Sequence, residues 1–193
     1  MTPILGIMAS QISGHLIPAT DYESIATVTV GSGGATTEVE FTSIPATYKH
    51  LQIRYFAGAN GAYGDDTWTR LIVNGQTTAS GNYTRHMLSG DGSTVSSSSS
   101  TTGSNTNLFF LLPGATGGGW ASGVTNILDY TDTNKYRTLQ TFTGWYGNSG
   151  GRNDLTSHLY LSTTAVSTIK IQMFSGEFYR QYSRFALYGI KGA

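Results

Sequence analysis

The chain has 193 residues, enough for one domain with an appendage and too few for a second, catalytic domain of ordinary size. Its eleven basic and eleven acidic residues cancel, and no run of like charge occurs, so the electrostatic footprint of a nucleic-acid or anionic-membrane binder is missing. Cysteine is absent, which leaves no disulfide framework and no thiolate metal site.

The chain opens with MTPILGIMASQISGHLIPAT, where Pro3, Gly6, Gly14 and Pro18 interrupt any long helix. The segment lacks the basic start and continuous apolar centre of a signal peptide, and no window approaches the roughly 20 apolar residues of a membrane span. Left exposed, Ile4, Leu5, Ile7, Met8, Ile12, Leu16 and Ile17 would make an apolar patch of the sort that marks a contact surface. Residues 1–20 are therefore expected to be an attachment arm, and residues 21–193 a single domain. Packing of the arm on its own domain is the alternative.

From Tyr22 the pattern has a period of two. YESIATVTV alternates, GSGGA supplies turn chemistry, and TTEVEFTSI alternates again through Val39 and Phe41, which reads as a hairpin. After Pro45, TYKHLQIRYFAGA places Leu51, Ile53 and Tyr55 on one face and Gln52, Arg54 and Phe56 on the other. Further strands are expected at 67–73, 83–88, 107–112, 121–130, 136–145, 158–162, 168–174 and 178–190. Turn signals separate nearly all of them, including NG at Asn74, SGDG from Ser89, PGATGGG from Pro113 and GNSGGRND from Gly147. Ser and Thr make up about a quarter of the chain, with 25 Gly besides, a composition that suits many strands joined by many turns. Short strands at regular spacing without helical segments predict an all-β fold, an antiparallel, jelly-roll-like β-sandwich. The low-complexity run STVSSSSSTTGSN, 93–105, has little apolar area to offset its ordering entropy and is expected to be a mobile, exposed loop.

Four stretches carry a resemblance: ILGIMASQISGH, YESIATVTVGSGG and EFTSIPATYKHLQIRY near the start, and FALYGIKGA at the end. They resemble modules of tailed-phage virion proteins, found as capsid-decorating or head-fibre proteins and as terminal modules of tail fibres, with an ILGI-type anchoring peptide at the N-terminus. The resemblance implies attachment to a phage capsid or tail protein through the arm, a β-domain projecting from the particle exterior, and a homotrimer. It also implies that the IPATYKHLQIR and LYGIK strands pair in the core. A short chain starting with Met1 favours a free-standing decoration or head-fibre protein over the end of a long fibre. Residues from about 57 to 180 lie outside the resemblance.

No constellation demands enzymatic chemistry. Glu38 and Glu40 have the separation of a glycosidase carboxylate pair, but they alternate with Val39 and Phe41 as the solvated face of a strand would. His15, His50, His86 and His158 share no metal-ligand spacing. Loops at Asp65 and Asp66 and at DYTDTN, 129–134, offer hard oxygens suited to calcium, although a polar turn accounts for them too, so no metal or other cofactor is expected. Aromatic residues beside the glycine-rich loops make the better case. Tyr63, Trp68, Trp120, Trp145 and Tyr146 could stack on sugars while Arg152 and its neighbours bond hydroxyls, or they could instead be core or subunit-interface residues. The leading expectation is a non-enzymatic virion structural protein. A module recognising a host-surface glycan is the alternative, with a glycan depolymerase behind it.

Overall fold

The computed structural model describes residues 21–33, 36–60, 66–77, 81–101, 108–113, 119–147 and 150–192. The arm residues Ile4, Leu5, Ile7, Met8, Ile12 and Leu16, together with Tyr63, lie outside them. Twelve strands form from the described residues: β1 (Tyr22–Thr29), β2 (Glu38–Phe41), β3 (His50–Ala57), β4 (Asp66–Val73), β5 (Tyr83–Gly90), β6 (Val95–Ser100), β7 (Leu108–Pro113), β8 (Trp120–Ile127), β9 (Arg137–Gly147), β10 (Gly150–Tyr160), β11 (Ile169–Met173) and β12 (Arg184–Ile190). A 3-10 turn, Phe174–Gly176, follows β11.

The strand pairings are nested. β1 pairs with β12, β2 with β11, β3 with β8 and β4 with β7, all antiparallel. Successive pairs alternate between two sheets, as when one long hairpin is rolled up, and this is the jelly roll. Two hairpins are added to that frame. β5–β6 is inserted between β4 and β7, β9–β10 between β8 and β11, and both extend one sheet to the order β1-β12-β3-β8-β9-β10-β5-β6. The second sheet keeps four strands, β2-β11-β4-β7.

Alternation fills the space between the sheets. Leu51, Ile53, Tyr55 and Ala57 of β3 meet Phe185 and Leu187 of β12 and, from the smaller sheet, Leu71, Val73, Ile169 and Ile171, all buried. Tyr55 lies flat on Phe110 of β7, ring centroids 3.9 Å apart and 12° from parallel. Its neighbour Phe109 points to the opposite face of β7 yet is equally buried, with its ring 6.3 Å from that of His158 on β10. The extended sheet therefore curls around β7 and covers an edge that would otherwise be open to pairing.

The jelly-roll sandwich and the pairing of β3 with β12, Leu51 opposite Gly189 and Ile53 opposite Leu187, match the expectations. Three local expectations are corrected. β1 and β2 are not a hairpin: rolling sends them to different sheets, with β12 and β11 as their partners. The serine run is a strand over Val95–Ser100, because the edge of β5 offers its backbone a full antiparallel ladder, from Gly90–Val95 to Arg85–Ser100. Side chains that bury little do not prevent that pairing, and the strand is exposed as expected. Gly150–Asp154, read as part of a turn, belongs to β10, where Gly150 pairs with Gly147 of β9.

Gly123 of β8 sits beneath the Tyr55 ring. A Cβ there would lie 2.7 Å from the Phe142 carbonyl oxygen and closer still to the Tyr55 hydroxyl, so the flat Tyr55–Phe110 stack needs glycine at this position. Gly123→Val should lower stability by about 1–3 kcal/mol, as overpacking of a core does. The neighbouring Ser122→Val, on the exposed side, should change it little. Urea midpoints of the two variants measure the contrast, and equal midpoints would remove the packing argument.

Candidate functional site

The outward face of the eight-stranded sheet is organised in rows that run across the strands. One row is polar, Tyr188, Gln52, Asn126, Gln140, Ser157 and His86 in successive register, with Gln52 Nε2 donating to Asn126 Oδ1 at 2.8 Å. The next is apolar, Arg54 leading into Val124, Phe142, Leu155 and Leu88. The last three are 54%, 55% and 50% exposed, unusual for adjacent large apolar side chains on one sheet face. A third row is small, Ser122, Gly144, Asn153 and Gly90, with Phe56 at its β3 end. Beyond it Trp120 faces Tyr146, which faces Gly151.

These rows line a groove in two continuous parts. The part of about 860 Å3 runs past Arg54, Trp120, Ser122, Tyr146 and Asn153, and the part of about 780 Å3 past Asn126, Gln140, Ser157 and His86. Val124 and Phe142 line both. At the first end Phe56 stacks on Trp120, centroids 4.8 Å apart and 7° from parallel, while Tyr146 is 77% exposed. Gly151 makes room for Tyr146, since a Cβ there would come within 2.6 Å of its ring.

Of the six residues expected to touch a sugar, four line this groove: Trp120, Trp145, Tyr146 and Arg152. Trp120 and Tyr146 belong to its outward face. Trp145 is on the inward-facing alternation of β9 and packs against the core. Arg152 is likewise turned inward: its Nε donates to Asp154 at 2.6 Å, one Nη to Ser89 Oγ at 3.1 Å, and its guanidinium lies over the Trp68 ring. Trp68 itself is on the smaller sheet, half-buried beneath Arg85 and Arg152. Asn153, a neighbour of Arg152, is on the outward face, whereas Phe56, Phe142, Asn126 and Gln140 were missed. Their signal is the outward alternation of β3, β8 and β9, which acquires meaning only once the register places those strands side by side.

The remaining candidates are dispersed. Glu38 and Glu40 lie on β2 of the other sheet, where Lys170 Nζ sits 2.9 Å from Glu38 and 3.8 Å from Glu40 and Gln172 also donates to Glu38. The pair thus has a shared cation to hold and is remote from the groove. His50 Nδ1 accepts the Asp129 amide, His86 lines the groove, and His158 is buried against Phe109. In DYTDTN, the Asp129 carboxylate is ion-paired to Lys49 and Lys135, while Asp132 Oδ1 accepts the Asn134 amide at 2.8 Å, an Asx turn. In this turn those carboxylates are engaged by the protein's own donors, while Asp65 of the other acidic loop lies outside the described residues. Beneath this turn the fully buried Arg137 donates to the carbonyls of Tyr130, Lys135 and Thr163.

No family model and no curated protein matches the chain. Among solved structures it is similar to the CBM2 module of the evolved Dit of Lactobacillus casei BL23 phage J-1, at 12% identity and a TM-score of 0.26, over 85% of this chain and 76% of that one.

The ammonium groups of Lys135 and Lys49 hold the Asp129 carboxyl at about 2, below its ordinary 3.8. A depressed folded pKa contributes stability above the unfolded value and loses it as pH falls through the folded one. Lys135→Met should therefore be less stable than the parent by a constant margin above about pH 4, and that margin should close toward about pH 2. Urea midpoints across that range test this, and a margin that persists at the acid end would mean that Lys135 acts through something other than Asp129.

Proposed function

We propose that this protein is a non-enzymatic component of the exterior of a tailed-phage virion, and that its jelly-roll domain presents a glycan-binding sheet face. One observation carries the glycan reading: the outward face of the eight-stranded sheet joins stacked and exposed aromatic rings to a row of amides and hydroxyls along one groove. A pyranose has the complementary construction, with C–H faces that stack on rings and hydroxyl edges that bond amides. Asn126, Gln140 and Asn153 each offer a donor and an acceptor, which suits hydroxyls that are both. The groove is open along its length, and successive strands lie about 4.8 Å apart, so an extended oligosaccharide can cross them with roughly one ring per strand.

The virion location rests on the sequence resemblance and on the apolar composition of residues 1–20. The arm would dock its Ile, Leu and Met side chains on a capsid or tail protein, and at ~25 cal/mol per Å2 a few hundred Å2 of such burial contributes several kcal/mol before ordering costs. Homotrimerisation would add avidity at both ends of the molecule. A receptor-binding position on the tail fits the groove better than passive capsid decoration, which would require no such face.

The exposed row Phe142, Leu155 and Leu88 favours a second reading in which the same face is the subunit interface of the trimer. The two readings separate cleanly. Trp120→Ala and Tyr146→Ala should abolish adsorption to host cells or to a glycan array while leaving the sedimentation coefficient unchanged. Loss of the oligomer in Phe142→Ser, with adsorption by the Trp120 variant intact, would assign the face to subunit contact instead. Deleting residues 2–16 should leave a folded domain that no longer enters particles, and normal incorporation of the truncated protein would rule out the arm as anchor.

A further inference from the structure

Arg54 is an exposed cation prepared for a partner. Its Nε donates to Gln52 Oε1 at 2.7 Å, and its guanidinium carbon lies 5.0 Å from the Tyr188 ring centroid and 5.5 Å from that of Tyr22. Gln52 is in turn held by Asn126. An exposed arginine ordinarily loses considerable rotamer freedom when it binds an anion. Here stacking and the Nε bond have already fixed the plane of the group, leaving the Nη edge, the fork that matches carboxylate or phosphate oxygens, without an acidic partner.

The charge of the groove points the same way. Asp91 is the single acidic residue among the described residues that line it, and it stands in the turn after β5. Four strand spacings separate β3 from β5, about 19 Å across the sheet. One Asp91 oxygen already accepts the amides of Ser93 and Thr94 and the Ser93 hydroxyl. Arg152, the other arginine lining the groove, is neutralised from within by Asp154. Of the two arginines that line the groove, Arg54 is thus the one without an acidic partner, next to the Phe56–Trp120 stack; the Arg180 guanidinium also lies over the Trp120 ring, 5.4 Å from its centroid, and exposed Arg184 of β12 lies opposite Phe56.

We propose that the groove takes an acidic glycan, with a carboxylate- or phosphate-bearing residue docked on Arg54 while an adjacent ring stacks at Trp120. This inference rests on the glycan reading above and sharpens it to a ligand class. The anion receives a bidentate pair of N–H donors at one end of the groove, and neutral rings follow along the amide row toward β5. Two sources supply this chemistry, uronic-acid polysaccharides and phosphodiester-linked cell-wall glycans.

The test uses the full chain against three immobilised probes of matched length: an oligogalacturonate, a glycosylated poly(glycerol phosphate) and a neutral galactan. Tighter binding of one acidic probe is expected, and which one identifies the source. Arg54→Gln should weaken that binding about tenfold, with Arg54→Lys falling between, because a point charge replaces the fork. Raising ionic strength to about 0.5 M should weaken the acidic probe and spare the neutral one. Preference for the galactan, or acidic binding that Arg54→Gln leaves unchanged, would overturn the acidic class. Sensitivity to Trp120→Ala in that event would leave the glycan reading standing. Failure of the intact protein to bind any of the three would overturn both.

Discussion

The contact on which the rest of the molecule depends is Tyr55 lying flat on Phe110. The stack joins β3, an interior strand of the larger sheet, to the edge strand of the smaller one at 3.9 Å. Gly123 makes room for the ring. Directing Phe110 inward forces Phe109 outward, where a phenyl group would be left in water unless something covered it. The inserted strand β10 contributes to that cover, bringing the His158 ring to 6.3 Å from that of Phe109. Extension of the sheet from four to eight strands is therefore tied to the burial of one side chain on β7, and the groove exists because of that extension, since Gln140, Phe142, Asn153, Leu155 and His86 all sit on the added strands.

Much of the architecture was legible from period-two alternation and turn chemistry. The inward set on β3 and the approximate position of most strands need nothing more, because a half-buried strand must alternate. The resemblance correctly placed β3 beside β12. Partner choice was otherwise hidden. The two runs flanking GSGGA look like a hairpin by every local rule, and only closure of the whole roll, with β12 available to β1 and β11 to β2, overrides that preference. Serine 96 to 100 was misread for a related reason: strand formation there is decided by the free edge of β5, not by the apolar content of the run.

The site was half legible. Trp120 and Tyr146 were found because aromatics beside glycine turns stand out, yet their meaning required the register that puts Trp120 opposite Tyr146 and Tyr146 over Gly151. Asn126 and Gln140 carry no signal of their own in a chain so rich in uncharged polar residues. They become neighbours only when β8 and β9 bring them opposite each other. Arg54 was placed on the face of β3 opposite Leu51, Ile53 and Tyr55, but its stacking partners come from opposite ends of the chain, Tyr22 and Tyr188, and no spacing rule reaches that far.

The two faces of the added strands differ: the inward one is tied by polar bonds and the outward one carries the groove. Inside the curl, Arg152 and Arg85 lie over Trp68, Arg152 holds Asp154, and the hydroxyl of Tyr83 accepts the Val73 amide at 2.9 Å and donates to the Gln76 carbonyl. Thr125 and Thr141 bond each other at 2.9 Å on the same side. A buried ion pair of this kind adds little net stability, because desolvation offsets its attraction, but its directional bonds admit few alternative geometries. That rigidity passes through the pleat to the opposite face, where Asn153 follows Arg152, Leu155 follows Asp154 and Phe142 follows Thr141. Trp68, Trp145 and Arg152 thus belong to the supporting side of the sheet, and their sequence prominence reflects how much polar anchoring a curled, single-layer extension requires. Their outward neighbours hold their spacing through the register that these inward bonds help to fix.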